Sequence, residues 1–257
     1  MGLFIRFCLY EPLQGVVFRY QQASVIVTML TATATTRLRA MLVMVVFCAT
    51  TFFAPGQCGA QDVPDGLTRE QVLQGLEDAD PDVRRGAYIA LGSVGIREDL
   101  PLLYSALYDA DALVRKLAED AIWQVWSRSG NALHDRILQR GIEQMQTGHY
   151  ASAVRSFSAL IRLAPDFAEA WNKRATVYFI VGEDDRSIAD VEQVLEREPY
   201  HFGALSGYGQ LMLRKREYRR ALGYFERALT INPNMRDVSK SIDSIRRALG
   251  EDGDDAI

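Results

Sequence analysis

Pro165, Pro199 and Pro233 stand 34 residues apart, and each closes a similar word: Ile161-Arg-Leu-Ala-Pro165, Leu195-Glu-Arg-Glu-Pro199 and Leu229-Thr-Ile-Asn-Pro233. Proline lacks an amide donor and clashes with the preceding turn, so each one ends a helix. A unit of that length cannot bury its own apolar face and has to stack on its copies. Counting back from each proline recovers the rest of the unit. Gly141, Ala175 and Gly209 lie 24 residues before it, and Ala153, Ser187 and Ala221 lie 12 before. These small residues suit the close approach of two helices. Phe157, Val191 and Phe225, eight before, fill the space between pairs. Gly148 and Gly182 fall between the two helices, where a left-handed backbone costs glycine least. The third unit has Arg216 there and is expected to turn differently.

These residues, with Trp171 and Tyr178 at bulky positions of the second unit, resemble the tetratricopeptide repeat family. The resemblance covers 134–235 as three units, 134–167, 168–201 and 202–235. Residues 236–249 carry Val238, Ile242, Ile245 and Leu249 at helical spacing and suit a capping helix. The acidic residues 250–257 are expected to form a disordered tail.

A second and slightly shorter period, of 31, aligns Asp78-Ala-Asp-Pro-Asp-Val-Arg84 with Asp109-Ala-Asp-Ala-Leu-Val-Arg115. An Asp ahead of each helix can accept from its free amides and complements its dipole. Val83, Ala87, Ala90 and Leu91 mark one apolar face, and Val114, Leu117, Ala118, Ala121 and Ile122 the next. The pattern over 67–128 is similar to short HEAT repeats of the bilin-lyase-like subgroup, with first helices at 68–76 and 100–108. Together the two periods predict an all-α, right-handed α-solenoid: HEAT-like repeats, three tetratricopeptide units and a cap. Stacking on the array that follows is expected to supply the HEAT units' missing neighbour, giving one continuous right-handed superhelix rather than two free domains.

Residues 1–60 read as a leader. Arg37 and Arg39 precede an uncharged apolar core at 40–54, then Pro55-Gly56, and small residues follow up to Ala60. This is the order of a secretory signal with cleavage near Ala60. The core is shorter than the roughly 20 residues that span a bilayer. Export to the periplasm or beyond is therefore expected, with an inner-membrane anchor, through an uncleaved leader, as the alternative. Residues 1–36 fit poorly ahead of such a signal, and Met29 or Met41 suits a start better. Cys8, Cys48 and Cys58 all precede Gly59, so the repeats can form no disulfide or thiolate metal site.

The chain's formal net charge is −4. Residues 1–60 hold four Arg and a single Glu, so the excess of acid falls beyond them. Such a chain is a poor general binder of nucleic acid. His134, His149 and His201 share no ligand spacing, and His149 and His201 read as solvated turn residues. Glu183-Asp184-Asp185 opens a helix. Gly203, Gly207 and Gly209 fall on a first helix, where close packing explains them better than a phosphate loop. No catalytic residue, metal site or cofactor site stands out.

The tetratricopeptide resemblance implies ligand binding along the face lined by first helices. Helical phase places there Leu138, Ile142 and Met145, then Asn172, Lys173, Thr176 and Phe179, then Ser206, Gln210 and Leu213. Phe179 and Leu213 have packing between units as their alternative. A chaperone-tail clamp needs Lys, Asn and Arg converging on a carboxylate, and only Asn172 and Lys173 approach it. Arg214, Lys215, Arg216, Arg219 and Arg220 form either a solvated turn or an anion-seeking patch. The function expected is an exported, non-enzymatic adaptor for a protein or peptide partner. A HEAT-repeat lyase-type enzyme and a membrane-tethered envelope assembly factor are the alternatives. Oligomeric state is not encoded in any feature of the sequence.

Overall fold

The computed structural model of the protein describes residues 68–250. The leader with its cysteines and apolar core, and the tail at 251–257, lie outside the described residues. Among those described, all regular structure is helical, as the two periods imply. Four α-helices form the HEAT half: α1 Arg69–Gly75, α2 Pro81–Val94, α3 Leu100–Ala106 and α4 Ala112–Trp126. Six form the tetratricopeptide pairs: α5 Ala132–Gln146 with α6 Tyr150–Leu163, α7 Ala168–Val181 with α8 Asp184–Arg197, and α9 Phe202–Arg214 with α10 Tyr218–Ile231. Helix α11, Arg236–Leu249, buries Val238, Ile242 and Ile245 against the last pair. No described helix is long and apolar enough to cross a membrane.

The repeated words act as the sequence implied. Asp80 and Asp111 cap α2 and α4, Asp80 accepting from the amide of Asp82 and Asp111 from those of Leu113 and Val114. Arg84 and Arg115 then staple their own loops alike. Arg84 Nη1 donates to the carbonyls of Asp78 and Ala79, and Arg115 Nη1 to those of Asp109 and Ala110. Each also reaches one layer onward. Arg84 holds Asp109 through two bonds of 2.9 Å, whereas Arg115 Nε reaches Asn234, 2.9 Å away in the loop before α11.

Within the array, Gly141 and Gly209 admit the rings of Phe157 and Phe225. A Cβ at either glycine would stand 2.4 or 2.5 Å from a ring carbon. Unit two has Ala175 and Val191 in these places, trading a larger small residue for a smaller large one. Phe157 and Phe225 are wholly buried, each contributing about 2–3 kcal/mol of apolar transfer.

Two findings differ from the sequence expectations. Arg216 has φ 62°, the left-handed conformation of Gly148 and Gly182 at 78° and 81°. Its amide donates to Leu213 and the next amide to Met212, repeating the pattern of the glycine turns. The third turn is therefore of the same type as the others, held with a side chain in place. The second difference is the junction. The HEAT half shares one apolar core with α7 through α11, while α5 and α6 build a separate core with another face of α7, through Ala170 and Val177. The halves meet by folding back onto the second and third units, so the first unit is not the neighbour that completes the HEAT stack.

Candidate functional site

The fold-back fills part of the face on which a ligand was expected. Trp123 and Trp126 lie near the end of α4 and meet the loop and first turn that begin α9. The Trp126 ring stacks on His201 at 3.8 Å, and Trp123 makes edge contacts with His201 and Phe202. A Cβ at Gly203 would stand 2.5 Å from the Trp123 ring, so only glycine lets the two come together.

Beneath the tryptophans is a closed polar cluster. Glu169 Oε2 accepts from Asn172 Nδ2 at 2.9 Å and lies 3.2 Å from His201 Nε2. Glu169 Oε1 is 3.0 Å from Lys173 Nζ, which sits 5.5 Å from the Trp123 ring centre. His201 Nδ1 accepts the amide of Ala204 at 3.1 Å, so the ring proton belongs on Nε2, facing Glu169. Burial alone would raise the Glu169 carboxyl, but Lys173 and the His201 hydrogen bond overcome it and hold the carboxyl at about 2. Asn172 and Lys173 thus do converge on a carboxylate, and it is the chain's own.

Around this seal run polar links between the halves. Arg97 pairs with Glu198 at 2.8 Å, and the Tyr104 hydroxyl donates to the same carboxylate at 3.2 Å. Burial and Glu198 together push the Tyr104 phenol well above its ordinary range. Tyr108 donates to the Thr230 carbonyl, and Asn234 to the Leu107 carbonyl at 2.8 Å.

The expected face residues fall into three groups. Leu138 and Met145 are core residues of the first unit, with Ile142 packed against them. Asn172, Lys173, Thr176, Phe179 and Ser206 are all buried, Thr176 donating to the Asn172 carbonyl. Gln210 and Leu213 remain half-buried. The basic turn is largely partnered: Arg214 and Lys215 each reach an aspartate at 2.6 Å, Asp184 and Asp185, and Arg220 pairs with Glu217. Arg214 also lies over the Phe179 ring at 3.6 Å. Arg216 and Arg219 are exposed.

His201 corrects a sequence expectation. It does lie just ahead of a helix, but it is fully buried rather than solvated, because Trp126, from the other half of the chain, covers it. His149 is exposed, with Nδ1 2.9 Å from the Thr147 hydroxyl. Among the described residues no group of His, Cys, Asp or Glu is placed to hold a metal ion.

The chain matches two kinds of known repeat. Residues 138–191 and 182–236 match the family model for the tetratricopeptide repeat, and residues 56–123 match that for HEAT repeats. A tetratricopeptide repeat-containing protein of Rhizobium etli is 33% identical over 124 residues, which is 48% of this chain and 61% of that protein. The Hsp70-Hsp90 organizing protein of Triticum aestivum is 25% identical over 117 residues, 46% of this chain and 20% of that protein. The chain thus spans less than two thirds of either relative's length. Among solved structures, the Sgt2 tetratricopeptide domain of Aspergillus fumigatus superposes with a TM-score of 0.44 at 19% identity, covering 49% of this chain and 92% of that one.

Proposed function

We propose that this chain, carrying HEAT and tetratricopeptide repeats, is an exported, non-enzymatic adaptor that holds a protein or peptide partner. The observation that carries the reading is the single core joining the HEAT half to the second and third units. It makes a preformed scaffold in which little ordering is left for the moment of binding. The buried ionisable group, Glu169 with Lys173 and His201, is sealed under two tryptophans and offers a substrate no access. Its role is to hold the halves together.

The partner surface is what the fold-back leaves accessible on the first-helix face: Gln210 and Leu213 of α9, beside Phe179 and the Arg214–Asp184 pair. A mixture of apolar, amide and charged groups suits an extended peptide or a helix lying in a groove. Export is inferred from the leader, whose basic flank and apolar core have the order of a secretory signal.

The test is crosslinking in intact cells with the full chain tagged at its C-terminus. Wild type is compared with a Gln210→Ala, Leu213→Ala variant of unchanged helicity. Loss of a specific extracytoplasmic partner from the variant supports the reading. Partners unchanged by the variant remove binding from this face, and a set of purely cytoplasmic partners overturns export. The mass of the mature protein shows whether the leader is cleaved near Ala60.

A further inference from the structure

We propose that a cleft between the first tetratricopeptide unit and the HEAT half binds an acidic segment of the partner. The inference rests on the adaptor reading and adds a second contact with defined chemistry. The cleft has a volume of about 650 Å³. That is the size of pocket that encloses a small ligand or a few side chains. It forms where the fold-back leaves the first unit without a HEAT neighbour, between residues 128–131, the first turn of α5 and residues 163–167.

Its wall is cationic. Arg97, Arg128 and Arg197 line it against one carboxylate, Asp166, with the His134 ring beside them. Arg97 is paired with Glu198, but the other two guanidinium groups are held mainly by carbonyls. Arg128 donates to the carbonyls of Gly92, Ser93 and Gly95 at 2.6, 3.1 and 2.7 Å. Arg197 donates to the Pro165 carbonyl at 2.7 Å, and to the Gln193 carbonyl and side-chain oxygen at 2.8 and 3.0 Å. Its nearest carboxylate, Glu196, is 3.7 Å away and exposed. Carbonyl contacts fix the guanidinium planes without cancelling their charge.

Asp135 offsets part of the Arg128 charge without pairing with it, its own hydrogen bonds going to the amide and hydroxyl of Ser129 at 2.8 and 2.6 Å. Burial lowers the pKa of Arg128, as expected of a cation short of counter-charge. The cleft therefore offers an incoming carboxylate two guanidinium groups, each held by three hydrogen bonds to oxygens and each keeping its charge and its remaining N–H donors. A polynucleotide is the poorer occupant, because the chain as a whole is acidic.

The experiment is fluorescence anisotropy on the full chain with a labelled oligo-glutamate peptide and its oligo-glutamine counterpart. Oligo-glutamate is expected to bind more tightly than oligo-glutamine, and to weaken as salt is raised. Arg197→Gln, which removes one charge, is expected to weaken it about tenfold. Leu163→Glu puts an acid on the cleft wall at a side chain already 56% exposed, so its loss of binding has no folding explanation. Lys215→Glu, in the basic turn, is expected to change nothing. Equal binding of the two peptides, full affinity in Leu163→Glu, or a loss confined to Lys215→Glu would each overturn the proposal. If the peptide fails to bind while Gln210→Ala, Leu213→Ala still loses its crosslinked partner, the cleft falls and the adaptor reading stands.

Discussion

Trp126 of the HEAT half and His201 of the tetratricopeptide half stack with ring centres 3.8 Å apart and planes 12° from parallel, both fully or almost fully buried. The contact joins the two repeat systems through their side chains. Replacing Trp126 with alanine opens a cavity over His201 and is expected to cost about 3–5 kcal/mol. Urea unfolding followed by circular dichroism should change from one transition to two, because the shared core is cut at this point. A variant that kept a single transition at the wild-type midpoint would show that the halves are joined elsewhere.

Why the sequence reveals the repeats and hides this contact is a matter of range. Pro165, Pro199 and Pro233, with Gly141–Phe157 and Gly209–Phe225, report packing between neighbours in the chain, and periodicity is a record of such neighbours. His201 sits ahead of α9 with every local sign of a turn, and its burial depends on tryptophans far back in the chain that obey neither period. Two signals were present: Trp123 and Trp126 share one face of α4, and Glu169 and Lys173 form an i,i+4 pair on the face expected to bind. Neither says that one covers the other. The loop at Asn234, which receives Arg115 where the next HEAT repeat would stand, carries no HEAT-like word at all.

The Glu169 carboxyl makes the fold acid-sensitive. Its pKa is held at about 2 in the folded chain, against the roughly 4.3 of an exposed glutamate, so folding favours the ionised form. That stability is complete above about pH 4.5 and is lost as pH falls toward 2. It is on the order of 3 kcal/mol for a shift of this size. Lys173, His201 and Asn172 are the groups that face the carboxylate. Glu169→Gln should be less stable at pH 7, having stranded the buried Lys173, and should lose this part of the slope below pH 4.5. Denaturant melts at a series of pH values, wild type against variant, measure both effects. Parallel profiles would show that Glu169 is not the titrating group.

Two glycines of the third unit should respond in opposite ways to alanine. Gly209→Ala places a methyl 2.5 Å from the Phe225 ring in a tight core and is expected to destabilise by about 1–3 kcal/mol. Gly223, in the interior of α10, has nothing within 4 Å of where a Cβ would stand and no positive φ. Gly223→Ala should therefore stabilise by about 0.5–1 kcal/mol through helix propensity alone. Thermal midpoints of the two variants, made separately, decide it by sign.

Arg216 occupies a left-handed position that its two sister turns give to glycine. An L-residue there is strained by about 1–2 kcal/mol, partly offset because glycine loses more freedom on folding. Arg216→Gly should therefore stabilise the protein by about 0.5–1 kcal/mol and leave the turn's hydrogen bonds to Leu213 and Met212 in place. A drop in the unfolding midpoint would show that the Arg216 side chain contributes more than its backbone costs.

The fold-back also fixes what happens when the chain is cut between its halves. Gly130 is exposed, has φ 77°, and has nothing within 4 Å of where a Cβ would stand, so a protease site inserted there should be tolerated. If the halves merely followed one another, cleavage would release two pieces. With Trp123 and Trp126 buried against His201 and Phe202, and Arg97, Tyr108 and Arg115 bonded to Glu198, the end of α10 and Asn234, the nicked protein should elute as one species on size exclusion. It should separate only in denaturant. The same nick in a Trp123→Ala, Trp126→Ala background should release the fragments at much lower denaturant than the nicked wild type, because the ring contacts are gone and the half-buried polar links, such as Arg97 and Tyr104 on Glu198, carry more of the junction. Separation of the nicked wild-type chain under native conditions would disprove the shared core.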